Sequence, residues 1–330
     1  MERYDLYVNN VMEAGRLPAG ACKPKGISLA IGFFDGVHLG HQEVIRQAVA
    51  LAKQQGLVPA VMTFDPHPRV VLGHGSQYTT VLTPVEDKLA LFAGLGVEAA
   101  YVIHFDRPFS EVTAEQFVRS LIAPIGVRTA VVGFDFKFGH RGEGNAESLQ
   151  SFGDGNIQVH VVSPVFADGG KVSSTRIREK LAAGEPRDAS QLIGRPYVIQ
   201  GIVVHGDARG RLLGFPTANV MPEQPYVIPQ NGVYAIEIDV LPKPGTTETA
   251  TRYQGVLNVG VRPTFEAPGG QLKLEAHLFD YSGDLYGREI ALVFHSFIRP
   301  ERKFESIDQL VAQISQDAER SRELLTEQLR

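Results

Sequence analysis

From Ile27 to about Leu181, short apolar runs alternate with segments whose apolar positions recur at helical spacing. Ile27–Phe33, Val58–Phe64, Ala99–Ile103, Thr129–Val132 and Ile157–Val162 read as buried strands. Between them, Thr83-Pro84-Val85-Glu86 and Thr113-Ala114-Glu115-Gln116 carry the capping-box pattern that opens a helix. Strand–helix alternation of this kind predicts an α/β domain. Its sheet is doubly wound and mostly parallel, with helices on both faces and ligands at the strand C-termini.

After Gly184-Glu185-Pro186 the period shortens to that of strands. Tyr197–Val204, Val233–Val240, Tyr253–Asn258, Leu272–Phe279 and Glu289–Phe297 are separated by Gly and Pro turns. This run predicts a small antiparallel β-barrel. A terminal helix opens with a third capping box, Ser306-Ile307-Asp308-Gln309, and its face of Ile307, Leu310, Val311, Ile314 and Ala318 is expected to pack on the barrel. The change of period falls near residues 184–190, giving domains 1–185 and 186–330.

A length of 330 residues agrees with two domains. With 43% hydrophobic and 21% charged residues the chain has the composition of a folded globular protein. The net charge of −5 disfavours nucleic acid as a partner. The single cysteine, Cys22, excludes an internal disulfide framework and a Cys-based zinc site, and fits a reducing compartment. Met1-Glu2-Arg3-Tyr4-Asp5 has no apolar signal core, and no apolar run approaches the roughly 18 residues of a membrane span. The expectation is a soluble, cytoplasmic protein without membrane contact.

The first strand leads into Gly32-Phe33-Phe34-Asp35-Gly36-Val37-His38-Leu39-Gly40-His41, with a helix from about Gln42. A helix N-terminus offers free N–H groups and a positive dipole end, which suits phosphate. Gly36 and Gly40 admit close approach of a ligand, so Gly32, Phe33, Asp35, Gly36 and Gly40 are candidate nucleotide contacts. His38 and His41 can donate hydrogen bonds to oxygens that gain charge during group transfer. Metal ligation and simple helix capping are the competing readings; the metalloprotease pattern His-Glu-x-x-His is absent. Further on, Ser173-Ser174-Thr175-Arg176-Ile177-Arg178 opens another helix, where the hydroxyls either cap it or join Arg178 in binding phosphate. Two strand ends carry aromatics in loops, Phe64-Asp65-Pro66-His67 and Phe134-Asp135-Phe136, where the rings either fill the core or stack on a planar ligand.

The second half contains His205-Gly206-Asp207-x-Arg209-Gly210-Arg211-x-x-Gly214-Phe215-Pro216-Thr217-Ala218-Asn219, which is not a Walker A loop. Gly206, Gly210 and Gly214 can present N–H groups to phosphates. Thr217 and Asn219 share one side of an extended segment and offer hard oxygens to a hydrated Mg²⁺. Glu275 lies within a strand, as an exposed edge residue or as an inward carboxylate with a chemical task.

These segments together resemble the bacterial bifunctional riboflavin kinase/FAD synthetases. Ser28 to Gly184 is similar to the family's nucleotidyltransferase domain, through the His-x-Gly-His turn, Phe-Asp-Pro-His-Pro, Gly-Phe-Asp-Phe-Lys-Phe-Gly and the Ser-Ser-Thr loop. Gly194 to Leu324 resembles riboflavin kinase through Gly-Phe-Pro-Thr-Ala-Asn. The resemblance implies an Mg²⁺-dependent enzyme that converts riboflavin and ATP to FMN, then FMN and ATP to FAD and pyrophosphate. It implies Mg-nucleotide ligands in Thr217 and Asn219, a base in Glu275, adenylyl-transfer residues in His38, His41, Ser174, Thr175 and Arg178, and a flavin-side loop around Arg262. Phe64, Pro66, His67, Phe134, Asp135 and Phe136 become candidate flavin contacts, and flavoenzymes that receive FMN or FAD possible transient partners. A non-catalytic flavin sensor and an enzyme with one active half are the alternatives. Where the family commonly has an acidic residue after the glycine-rich loop, this chain has Gly144-Asn145, and Asn145 can cap the next helix.

Overall fold

The apolar runs of the first half form a six-stranded, all-parallel sheet, seen in a computed structural model that describes residues 1–8, 16–73, 78–206, 215–243, 245–262 and 271–327. Strands β1 (Glu2–Leu6), β2 (Ile27–Ile31), β3 (Val58–Asp65), β4 (Ala99–His104), β5 (Val127–Gly133) and β6 (Gln158–Val162) lie in the order β1-β4-β3-β2-β5-β6. Helices α1 (Leu39–Gln55), α2 (Pro68–Val71), α3 (Val85–Gly94), α4 (Arg107–Ser110), α5 (Ala114–Phe117) and α6 (Ala146–Phe152) connect them. Strand alternation divides the core in two. Leu29, Met62 and Tyr101 bury on one face, while Ala30, Val61 and Ala100 bury on the other against Ile45 and Phe92. The chain winds from β2 outward through β3 and β4, and β5 joins on the other side of β2. The crevice at that reversal opens beyond the C-terminal ends of β2 and β5.

Several local expectations are corrected. β2 stops at Ile31 rather than Phe33, because Phe34 enters the left-handed region at φ 55°. Helix α1 starts three residues before Gln42, with His38 as its N-cap. The Thr83 capping box does not form: Pro84 takes the cap position without a side-chain bond, and the Thr83 N–H donates to Asp35 instead. The Thr113–Gln116 box does form, with both reciprocal bonds. Asn145 caps α6 as expected, in a reciprocal pair with Ser148. Strand β1 was not anticipated; only Tyr4 and Leu6 of its five residues are buried, too short a pattern to register.

A two-stranded hairpin, β7 (Phe166–Ala167) and β8 (Gly170–Lys171), precedes α7 (Ser174–Ala182) and α8 (Pro186–Ile193). The packing divides into two units, Met1–Ser174 and Thr175–Arg330. The second contains β9 (Tyr197–Val204), β10 (Ala218–Met221), β11 (Gly232–Val240), β12 (Thr251–Arg262), β13 (Gln271–Leu278) and β14 (Glu289–Arg299). They close a barrel in the order β10-β13-β12-β11-β14-β9. The unforeseen member is β10, four residues long, which pairs with β13 and β9.

The terminal helix α9 (Ile307–Glu327) packs on β11, β12 and β14, as expected. Ala318 of the expected face lies against Val233, Val256 and Phe279, while Ile307 at the helix start is exposed. The same stripe continues through the buried residues Asp317, Ser321 and Leu325. Asp317 accepts a bidentate pair from Arg299 at 2.9 and 2.7 Å, and Ser321 donates to the Gly255 carbonyl at 2.8 Å. Leu310, Ile314 and Asp317 together line a cavity. Among the described residues no helix is long and apolar enough to cross a membrane.

Candidate active sites

The turn after β2 is strained and heavily braced. Phe34 and Val37 are buried non-glycine residues at φ 55° and 41°, and Gly36 lies between them at φ 88°, where a side chain would be disfavoured. Each such residue costs on the order of 1–3 kcal/mol and persists only where its surroundings hold it. Here they do. The Asp35 carboxylate accepts from the N–H groups of Leu82 and Thr83 at 2.7 and 3.2 Å. The Ser174 hydroxyl donates to the Asp35 carbonyl at 2.9 Å, and the Gln42 amide to the Val37 carbonyl at 2.9 Å.

The two histidines face each other at the start of α1, their rings stacked. Their ring centroids lie 3.5 Å apart at 18°. His38 Nδ1 accepts from the His41 N–H at 3.3 Å, which leaves its Nε2 to carry the proton and donate. The Nδ1 of His41 is buried and has no hydrogen-bond partner. Burial, the neighbouring imidazole and Lys88 push His41 well below the usual histidine range, so it is neutral at physiological pH.

Lys88 is the residue that motif reading missed. It is 2% exposed, and its ammonium donates to the Phe33 carbonyl at 3.1 Å and to Thr63 Oγ1 at 3.2 Å. It also lies 4.2 Å from the centre of the Phe33 ring. Burial lowers it to about 8, against the opposing pull of Asp35 and Asp65. The signal was present: Val85, Lys88, Leu89 and Phe92 follow i, i+3, i+4, i+7 spacing, which places a lysine on an apolar stripe.

The loop candidates divide. The Phe64 ring meets Phe105 and Phe109 and belongs with the core, and Phe136 stacks on Phe138 at 5.3 Å. His67 sets its edge on Phe33 and its Nδ1 caps Arg69. It follows Pro66, at the end of β3. Phe134 is 48% exposed, with Lys171 over its ring at 4.4 Å, and Asp135 pairs with Lys171 at 3.2 Å. Thr175 and Arg178 follow Ser174 along α7. Gly32 and Gly40 flank the turn at its two ends.

In the barrel, register aligns three polar residues in one row. Glu275 on β13 stands opposite Asn219 on β10 and opposite Asn258 on β12. Two cavities open here. One, of about 390 Å³, is lined by His205, Gly206, Asn219 and Lys273; the other, of about 380 Å³, holds Thr217, Asn258, Lys273 and Glu275 with apolar Val233, Val256, Leu310 and Ile314. Thr217 and Asn219 therefore open onto different cavities. A Cβ built on Gly206 would overlap the Asn219 amide and displace it. At one mouth His205 stacks on Tyr286 at 3.8 Å. Asn258 donates to Glu301 at 3.2 Å, and Pro216 O meets His277 Nδ1 at 2.8 Å. Gly210 and Gly214 lie outside the described residues, as does the Arg262 side chain.

The donor set fits a divalent cation carried in with a nucleotide. Thr217 and Asn219 supply neutral oxygens. Among the described residues no cluster of three or more His, Cys, Asp or Glu forms a cage of its own. Hard, partly hydrated Mg²⁺ shared with phosphates matches such a sparse site.

A parallel sheet with a braced His-x-Gly-His turn, followed by a closed barrel with an acid–amide row, fits a transferase that handles nucleotides. Family models agree: FAD synthetase matches residues 21–176 and riboflavin kinase residues 193–325. The chain belongs to the bifunctional riboflavin kinase/FMN adenylyltransferases. The enzyme of that name from Listeria monocytogenes is 41% identical, over 89% of this chain and 91% of its own. That of Escherichia coli K12 is 39% identical, over 91% and 93%. A crystal structure described as a macrolide-efflux protein from Streptococcus pneumoniae is 32% identical at a TM-score of 0.84, covering 97% of this chain and 99% of that one. The chain carries both reactions of its family, phosphorylation of riboflavin to FMN and adenylylation of FMN to FAD, each using ATP.

Proposed function

We propose that residues 1–185 perform the adenylyl step and residues 186–330 the kinase step, each with Mg²⁺, in the cytoplasm. The observation that carries the division is chemical: a carboxylate, Glu275, stands in the barrel cavity, while two stacked imidazoles stand at the turn of the sheet. The two nucleophiles demand this difference. The ribityl 5′-hydroxyl is un-ionised at neutral pH and needs a base within hydrogen-bond reach as it attacks the γ-phosphorus. The FMN phosphate, with a second pKa of about 6, is already largely ionised and needs no base.

In the kinase step Glu275 takes the hydroxyl proton. Asn219 and Thr217 hold the Mg-nucleotide, with the glycines Gly206, Gly210 and Gly214 toward its phosphates. Bound Mg²⁺ supplies charge neutralisation on the phosphate oxygens. Val233, Val256, Leu310 and Ile314 offer an apolar wall to a flavin ring, and Arg262 is assigned to the flavin side.

In the adenylyl step His38 and neutral His41 donate to oxygens around the α-phosphorus, and the turn Gly32–Gly40, including Phe33, Asp35 and Gly36, cradles phosphate. Ser174, Thr175 and Arg178 are assigned to the leaving pyrophosphate. Exposed Phe134 with Asp135, and Pro66 with His67, are assigned to flavin more readily than Phe64 and Phe136, which pack into the core. Flavoenzymes receiving FMN or FAD would be the downstream partners, with no role for nucleic acid or membrane.

The test is product analysis after incubating the protein with riboflavin, ATP and Mg²⁺. Transient FMN followed by FAD is expected. FMN alone would leave only the barrel active, and bound but unconverted flavin would identify a sensor.

A further inference from the structure

Lys273 and Glu275 lie two residues apart on β13, so strand alternation sends both side chains to one face. They meet as an ion pair at 2.8 Å, 33% and 24% exposed. At that exposure the pair contributes little to stability, too little for it to be explained as a brace for the barrel. Its position is more informative. Lys273 lines the cavity of His205, Gly206 and Asn219, and also the cavity of Thr217, Asn258 and Glu275. The other described cations of the second cavity are engaged elsewhere: Arg299 by Asp317, and Arg302 by Gln313 and the Phe304 ring.

A phosphoryl group passing from a nucleotide held by Asn219 and Thr217 to an alcohol at Glu275 travels past Lys273, which lines both cavities. During that passage negative charge is spread over its equatorial oxygens. We propose that Lys273 is a catalytic residue of the kinase step, its ammonium turning from Glu275 to the oxygens of the γ-phosphoryl group in flight. The inference rests on Glu275 acting as the base.

The charges then balance through the step. Before reaction the ammonium neutralises the Glu275 carboxylate. As the 5′-oxygen forms its bond to the γ-phosphorus, the bond to the bridging β–γ oxygen breaks, and ADP leaves with that electron pair. The hydroxyl proton passes to Glu275, whose carboxyl becomes neutral and releases Lys273. The cation is thus freed as the phosphoryl group arrives. Asn219 and Asn258, opposite Glu275 on either side, are uncharged and cannot take this part.

The experiment compares Lys273→Met, Lys273→Arg and Glu275→Gln in the full chain, assaying riboflavin phosphorylation and FMN adenylylation on the same samples. Loss of one donor aimed at developing charge costs about 100-fold or more in kcat. Lys273→Met is therefore expected to lower kcat for phosphorylation about 100-fold, with riboflavin KM within about twofold. Lys273→Arg should recover most of the rate, and adenylylation should be unchanged, which certifies the fold. A kcat for Lys273→Met close to that of the parent overturns the proposal, as does a change confined to KM. If Glu275→Gln is inactive while Lys273→Met is not, only the lysine's role fails. Phosphorylation surviving in Glu275→Gln defeats the base assignment, and the lysine proposal with it.

Discussion

Asn219 and Glu275 are direct cross-strand partners, one at the second position of a four-residue strand and the other in the middle of β13. The pairing ties a neutral amide and a carboxylate to one rung of a closed barrel. A slip of one residue would turn both side chains to the opposite face. The proposed roles of Asn219 and Glu275 in the kinase step both rest on the register between β10 and β13.

Glu275→Gln should abolish FMN formation, by about 100-fold or more, the range of a lost general base. Conversion of added FMN to FAD should stay near the parent rate. Chromatographic rates for both steps on one preparation check this; loss of both would refute two separate sites.

His38→Ala with His41→Ala should give the mirror image. FAD formation should fall by at least about 100-fold while riboflavin phosphorylation persists. The same assay decides it, and FAD forming at the parent rate would remove the stacked pair from the chemistry.

Lys88 gives a pH signature. Its folded-state value of about 8 lies below the ordinary 10.5, so between those values the unfolded chain holds the proton that the folded chain has lost. Stability therefore rises with pH across about 8 to 10.5, and below 8 the full burial cost, roughly 3 kcal/mol, is carried. In Lys88→Met this rise should vanish, so the difference in melting temperature between the two proteins shrinks as pH climbs from 7 to 10. A pH-independent difference would contradict the burial reading. Adenylylation should also fall, since the Phe33 carbonyl keeps only the Thr63 hydroxyl of its two donors, while phosphorylation should not.

Asp317→Ala should destabilise the second unit by about 3 kcal/mol, because Arg299 is left buried without its carboxylate. Denaturant unfolding measures it. Helix α9 also presents Leu310 and Ile314 to the cavity, so riboflavin KM should rise several-fold with it.

Where the fold was legible in sequence, repetition made it so. The strands β2 to β6, β9 and β11 to β14 each carried enough apolar residues for a period to emerge, and Thr113 and Asn145 capped helices as their side chains allow. Short elements escaped. β10 has only Ala218 and Val220 buried, and it exists because β9 and β13 lie on either side. Thr83 failed as a cap because Asp35, far away in the chain, competed for its N–H. The site motifs were legible, but their geometry was not. The i, i+3 spacing of His38 and His41 puts both on one side of the helix start without giving their ring geometry, and nothing near Phe33 announced the lysine beneath it, 55 residues on.

Closure of the barrel has one more consequence. A closed ring of strands has no edge strand to offer a neighbouring molecule. The open sheet has two rims. That of β1 is guarded, with exposed Glu2, Arg3 and Asp5 alternating with buried Tyr4 and Leu6. That of β6 carries Val161 at 52% exposure and no Lys, Arg, Asp or Glu. If concentrated solutions of this protein associate by strand pairing, β6 is where the chains will meet.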